Sequence, residues 1–151
     1  MKFISDKDSF TIYVLKNDFL DSEIKDYVKK MVLRLKNRFK KYISGYYKAY
    51  VYKNNHYGII IELIKEGNFD FFKDFIELDI NVIDDSEMYF RFKDYFLIIN
   101  KSDIFYYDDN YYVNIKKLNK LEFLKLTEFG TIVYGKDVLD IKNRLIKVNI
   151  V

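Results

Sequence analysis

Apolar positions along the chain change period several times, and each change marks an element. Ser9 to Leu15 (SFTIYVL) is a run of β-branched and aromatic residues of strand length, and Lys2 to Ser5 can pair with it across the turn-forming Asp6-Lys7-Asp8. From about Asp21 the recurrence lengthens to three and four residues. Ile24, Tyr27, Val28, Met31, Leu35, Phe39 and Tyr42 then fall on one helical stripe. Asp21 or Ser22 can cap this helix, Glu23 and Asp26 suit the positive end of its dipole, and Lys40 and Lys41 suit the negative end. Gly45 stands where a C′ residue belongs. The pattern predicts a helix over about Ser22 to Ile43.

After Gly45 the period returns to that of strands. Tyr46 to Lys53 and Tyr57 to Ile64 are joined by Asn54-Asn55-His56, a turn composition that tolerates positive φ. Ile76, Leu78, Ile80 and Val82 alternate with Glu77, Asp79 and Asn81, as in a strand with one wet face. Phe69 to Phe75 fits either a short helical turn or irregular chain. Met88 to Phe92 turns at Lys93-Asp94 into Tyr95 to Ile99, and Ile104 to Tyr107 turns at Asp108-Asp109-Asn110 into Tyr111 to Ile115. These two hairpins resemble each other: Ser86-Glu-Met-Tyr-Phe matches Ser102-Asp-Ile-Phe-Tyr, and Tyr95-Phe-Leu matches Tyr111-Tyr-Val. Two imperfect copies fall short of the roughly three repeats that an array needs, so they predict an antiparallel meander.

Leu118, Leu121, Leu124 and Leu126 to Phe129 carry a second helix, near Asn119 to Phe129, that ends at Gly130; Thr131 to Tyr134 follows as a short strand. The tail from Val138 fits a helix through Val138, Ile141, Leu145 and Val148, or a strand through Ile146, Val148 and Ile150. No Pro-, Gly- or Ser-rich linker interrupts the chain, which reads as one domain over residues 1–151. The fold class expected is α+β: a long amphipathic N-terminal helix packed on a mainly antiparallel, meander-rich sheet of six to nine strands, with a short second helix near the C-terminus.

Composition narrows the chemistry. The 151 residues include no Cys and one His, His56, so disulfides, thiol catalysis, thiolate metal sites and His-pair relays are excluded. No cofactor or metal is expected. No apolar run approaches the ~18 residues of a membrane span, and the polar start suggests a cytoplasmic protein with no membrane partner. The 14 Phe and 15 Tyr, set against 5 Gly and no Pro, match the codon bias of an A/T-rich genome and carry no function by themselves.

The motifs that remain are weak. Gly130-Thr-Ile-Val-Tyr-Gly135-Lys136-Asp137 has phosphate-loop spacing, but its interior is apolar and Asp137 replaces the magnesium-binding hydroxyl. Asp84, Asp85 and Glu87, like Asp108 and Asp109, lack calcium-loop spacing and read as turn formers. His56 reads as a solvated turn residue, and no Ser has a recognisable base partner.

Charge layout changes the picture more than net charge does. The total is +3, yet residues 27–61 hold nine basic side chains and no acidic one, whereas residues 66–110 hold twelve acidic and four basic. On a helical wheel Lys25, Lys29, Lys36 and Lys40 line one flank, Lys30, Arg34 and Lys41 the other, and Leu33 lies between them. Three readings compete: mutual neutralisation of the two blocks; a nucleic-acid face in which Tyr46, Tyr47, Tyr50 and Tyr52 stack on bases; and a protein interface, with a basic rim around Leu33 and head-to-tail self-association as one form of it. The functional expectation is a non-enzymatic binding protein of regulator or adaptor type that uses Lys29, Lys30, Leu33, Arg34, Lys36, Lys40 and Lys41. The alternative is a nucleic-acid- or ribosome-associated protein that uses the same patch with its neighbouring tyrosines.

Overall fold

The structure, a computed structural model, describes residues 2–6, 9–15, 20–39, 45–66, 76–94 and 103–148. Its contacts divide into two compact units, Met1–Asp85 and Ser86–Val151. Each unit is built on a five-stranded sheet, and with three α-helices among the described residues the class is α+β, mainly antiparallel.

The first unit contains β1 (Lys2–Asp6), β2 (Ser9–Val14), α1 (Asp21–Phe39), β3 (Gly45–Asn54), β4 (Gly58–Lys65) and β5 (Ile76–Ile83). The sheet order is β1-β2-β4-β3-β5. Both expected hairpins form, with Phe3 opposite Ile12 and Val51 opposite Ile61. Asn54 closes the second: its Oδ1 accepts the N–H groups of His56 and Tyr57 at 2.8 and 3.0 Å, leaving His56 exposed. Alternate residues of the strands point to one side, where Ile12, Val14, Ala49, Val51, Ile59, Ile61 and Leu63 pack against Ile24, Val28, Met31, Val32 and Leu35 of α1. Each fully buried aliphatic side chain contributes roughly 1.5–3 kcal/mol, so this layer fixes the helix on the sheet.

The second unit contains β6 (Tyr89–Phe92), β7 (Ile104–Tyr107), β8 (Asn110–Asn114), a 3-10 turn over Ile115–Lys117, α2 (Lys120–Phe129), β9 (Thr131–Val133), α3 (Lys136–Lys142) and β10 (Ile146–Lys147). Its order is β10-β7-β8-β6-β9. Tyr89, Tyr112 and Val133 pack with Val138 and Ile141 of α3, while Phe90 meets Phe123 of α2 edge-on at 5.7 Å. Tyr89 and Phe90 are successive residues of one strand and point to opposite faces, so this sheet carries a helix on each side. Asp108 and Asp109 both have positive φ and make the two-residue β7–β8 turn, as Asp tolerates.

Several expectations change. The meander-rich single sheet is replaced by two sheets. β5 runs parallel to β3, and β6 lies between β8 and β9. The expected partner strand Tyr95 to Ile99, the segment Phe69 to Phe75, and the helix end to Ile43 lie outside the described residues. α1 follows two strands and is described over 19 residues, shorter than expected. Its buried stripe includes Val32, which the sequence reading passed over. Gly45 opens β3 with φ +110°, and the helix end that it is expected to cap lies outside the described residues. Gly130 does end α2, yet with extended backbone; what requires glycine there is space, because a Cβ would lie 2.9 Å from the Leu126 carbonyl and 3.3 Å from that of Arg91. Of the three leucines of α2 only Leu126 is buried: Leu121 and Leu124 are exposed, and the other buried residue is Glu122. Glu122 is held by a capping box with Asn119, the two groups exchanging hydrogen bonds of 2.8 and 3.2 Å. The ambiguous tail resolves into both options in turn, α3 and then β10.

Candidate functional site

Because α1 buries Ile24, Val28, Met31, Val32 and Leu35, its opposite face carries the basic residues. Lys29, Lys30 and Arg34 are exposed, Lys36 is half-buried, and Leu33 in their midst is 52% exposed. Among the described residues none of these four cations forms an ion pair. They run from the middle of the helix towards its C-terminal end. The acids Glu23 and Asp26 stand at the other end. Lys40 and Lys41 lie outside the described residues.

The tyrosines proposed to adjoin this patch do not share its side of the sheet. Side chains alternate along β3, so Tyr47, Ala49 and Val51 point towards α1, and Tyr46, Tyr50 and Tyr52 point away. Tyr47 is 2% exposed and lies 6.3 Å from the ring of Phe10, so its assignment as a base-stacking residue is corrected to a core role. On the face away from α1, Tyr13, Ile60 and Tyr52 are aligned across β2, β4 and β3. Tyr13 and Tyr52 are thus the cross-strand neighbours of Ile60, which is fully buried. Burial, followed by the nearby Glu62 carboxylate, raises the hydroxyl pKa of both Tyr13 and Tyr52.

Acidic residues share that outer face. Lys48 pairs with Glu66 at 3.2 Å, and the hydrogen bond and charge of Glu66 raise the pKa of its ammonium. In the parallel register Tyr46 lies beside Glu77, and Lys48 beside Asp79. Since Ile76, Leu78, Ile80 and Val82 pack towards the helix core, Glu77 and Asp79 point the other way and are exposed. Within the first unit, then, the basic helix face and these acids occupy opposite sides of the sheet. Their separation leaves α1 free of the neutralisation by β5 that the first reading required.

The second unit offers different chemistry. An open cleft of about 710 Å³ is lined by Arg91, Phe92, Lys93, Asp94, Asn110, Phe129 and Thr131. Before the other end of β6, Glu87 accepts hydrogen bonds from Tyr89 Oη at 2.9 Å and Asn114 Nδ2 at 3.2 Å, and it pairs with Lys142 at 2.9 Å. Burial would raise its carboxyl pKa, but these hydrogen bonds and the Lys142 and Lys116 charges outweigh it and hold the value below the usual range. Burial and the Glu87 contact push the Tyr89 hydroxyl up to about 12. The network joins the start of β6 to α3 and has a structural role. Between Gly130 and Gly135 the chain forms β9, bonded to β6, so it cannot curl its amides around a phosphate. Among the described residues no group of three acidic or imidazole side chains is placed to hold a metal ion, and no helix is long and apolar enough to cross a membrane.

Alternation puts Glu77 and Asp79 on a wet strand face, but the grouping of that face with Tyr13, Ile60, Glu62 and Ile64 was missed in the sequence. The parity of β3 would have separated Tyr47 from Tyr46, Tyr50 and Tyr52, but the parallel pairing that brings β5 to Tyr46 leaves no local signal. No protein-family model, curated protein or solved structure matches the chain.

Proposed function

We propose that the protein is a non-enzymatic binding protein of the cytoplasm that docks an acidic protein surface on the outer face of α1. The observation that carries this is the exposed Leu33 set among Lys29, Lys30, Arg34 and Lys36. An apolar centre with a charged rim is the anatomy of a protein interface, and unpaired lysines steer an acidic partner towards it. The nucleic-acid reading loses support: Tyr47 is buried, and Tyr46, Tyr50 and Tyr52 share the opposite face with Glu62, Glu77 and Asp79, whose charge repels phosphates.

The test is the triple substitution Leu33→Asp, Lys29→Glu and Lys36→Glu, all at positions outside the core. Far-UV circular dichroism and the melting temperature should stay as in the wild type. Partner retained from nuclease-treated lysate should fall at least about tenfold, equivalent to ~1.4 kcal/mol of binding free energy. Equal retention by the two proteins overturns the proposal.

A further inference from the structure

The outer face of the first unit's sheet has the same anatomy as the helix face with the charges reversed. Tyr46 is 41% exposed and Ile64 38%. The two are close neighbours, because Ile64 lies opposite Lys48 on β3 and the Glu66 N–H bonds the Tyr46 carbonyl at 2.8 Å. Around this apolar pair stand Glu66, Glu77 and Asp79, with Glu62 further along β4. Lys48 is the basic side chain described on this face, and it is already engaged by Glu66. One side of the unit thus presents leucine within a basic rim, and the other presents Tyr46 and Ile64 within an acidic rim.

The spacing also agrees. Lys29 and Lys36 are seven residues apart on α1, about 10 Å along its axis. Glu66 and Glu77 flank Tyr46 on its two neighbouring strands, and two inter-strand steps are again about 10 Å. Leu33, midway between the lysines, would then meet Tyr46, midway between the acids, with Ile64 beside it.

We infer that the occupant of the α1 face is a second copy of this chain, docked through the Tyr46–Ile64 patch of its sheet. This rests on the proposed function and names its partner. The two patches lie on opposite sides of one sheet, so the contact is head-to-tail and not two-fold. Each copy leaves one patch open for the next, and assembly continues until a ring closes. With largely exposed charges at its rim, the contact should weaken as added salt shortens the screening length from about 30 Å at 0.01 M to about 10 Å at 0.1 M.

Sedimentation velocity of the purified full chain tests this. Wild-type protein at low salt should show a weight-average mass that rises with concentration and returns towards the monomer in high salt. Lys29→Glu with Lys36→Glu should be monomeric, and so should Glu77→Lys with Asp79→Lys. All four positions lie outside the core, and circular dichroism checks that each variant folds. Mixing the two variants should restore association, because the native helix of one meets the native sheet of the other. A wild type that stays monomeric at low salt overturns the inference and leaves the lysate-capture test of the proposed function standing. Association that survives the Glu77/Asp79 reversal, or a mixture that remains monomeric, also overturns it.

Discussion

The two sheets have the same number of strands and are closed in different ways. In the second unit α3 covers Tyr89 and Tyr112 on one face and α2 meets Phe90 on the other. In the first, α1 packs on one face, and the other carries Tyr13 and Tyr52 beside the buried Ile60, with Glu77 and Asp79 exposed on the same side. A sheet with helices on both sides has its aromatic residues committed to packing. One with a single helix leaves an amphipathic surface, since a tyrosine buries its ring while its hydroxyl remains wet. The first unit therefore supplies both candidate docking faces, whereas in the second Glu87 pairs with Lys142 of α3 and Glu122 caps the start of α2.

The largest effect should come from comparing the sealed positions directly. Phe90→Ala removes a fully buried ring under α2 and should cost about 3–5 kcal/mol in chemical denaturation. Ile60→Ala should cost about 2–5 kcal/mol if the tyrosines act as a true core layer. A cost near zero for Ile60→Ala would mean that the rings are mere surface, and the contrast between the sheets would widen. Next in size, Gly130→Ala should destabilise the second unit by about 1–3 kcal/mol. The new methyl group would press on the carbonyls of Leu126 and Arg91, which are backbone and cannot move aside. An unchanged midpoint would show that α2 is held loosely against β6.

The smallest effect concerns the Glu87 network. Its carboxyl pKa is depressed in the folded state, so an unfolded chain takes up the proton first as the solution is acidified. The contribution is complete above the ordinary carboxyl pKa and disappears as pH falls through the lower folded value. Glu87→Gln should be less stable than wild type by about 1 kcal/mol at neutral pH, and the gap should close in acid. A gap independent of pH would show that Glu87 acts by shape alone.

Much of this was legible from residue order. The period of Ile24, Val28, Met31 and Leu35 placed α1 and its exposed Leu33, and alternation placed β5 with Glu77 and Asp79 on its wet side. Leu121 and Leu124 misled, because an apolar spacing reveals one face of a helix but not whether a neighbour arrives to cover it. Tyr47 misled for the opposite reason: it was grouped with the other tyrosines by type, although its odd position on β3 sets it on the core side.

Periodicity is a short-range property, imposed by 3.6 residues per helical turn and two per strand repeat, so the elements and the relative orientation of their side chains could be read one segment at a time. Neighbour relations are long-range. That β5 runs parallel to β3, that β6 inserts between β8 and β9, that a Gly130 side chain would strike the Arg91 carbonyl, and that the basic face of α1 and the acids Glu77 and Asp79 fall on opposite sides of one sheet all depend on segments distant in the chain. Packing of the whole core selects among such pairings, and only the folded chain specifies them.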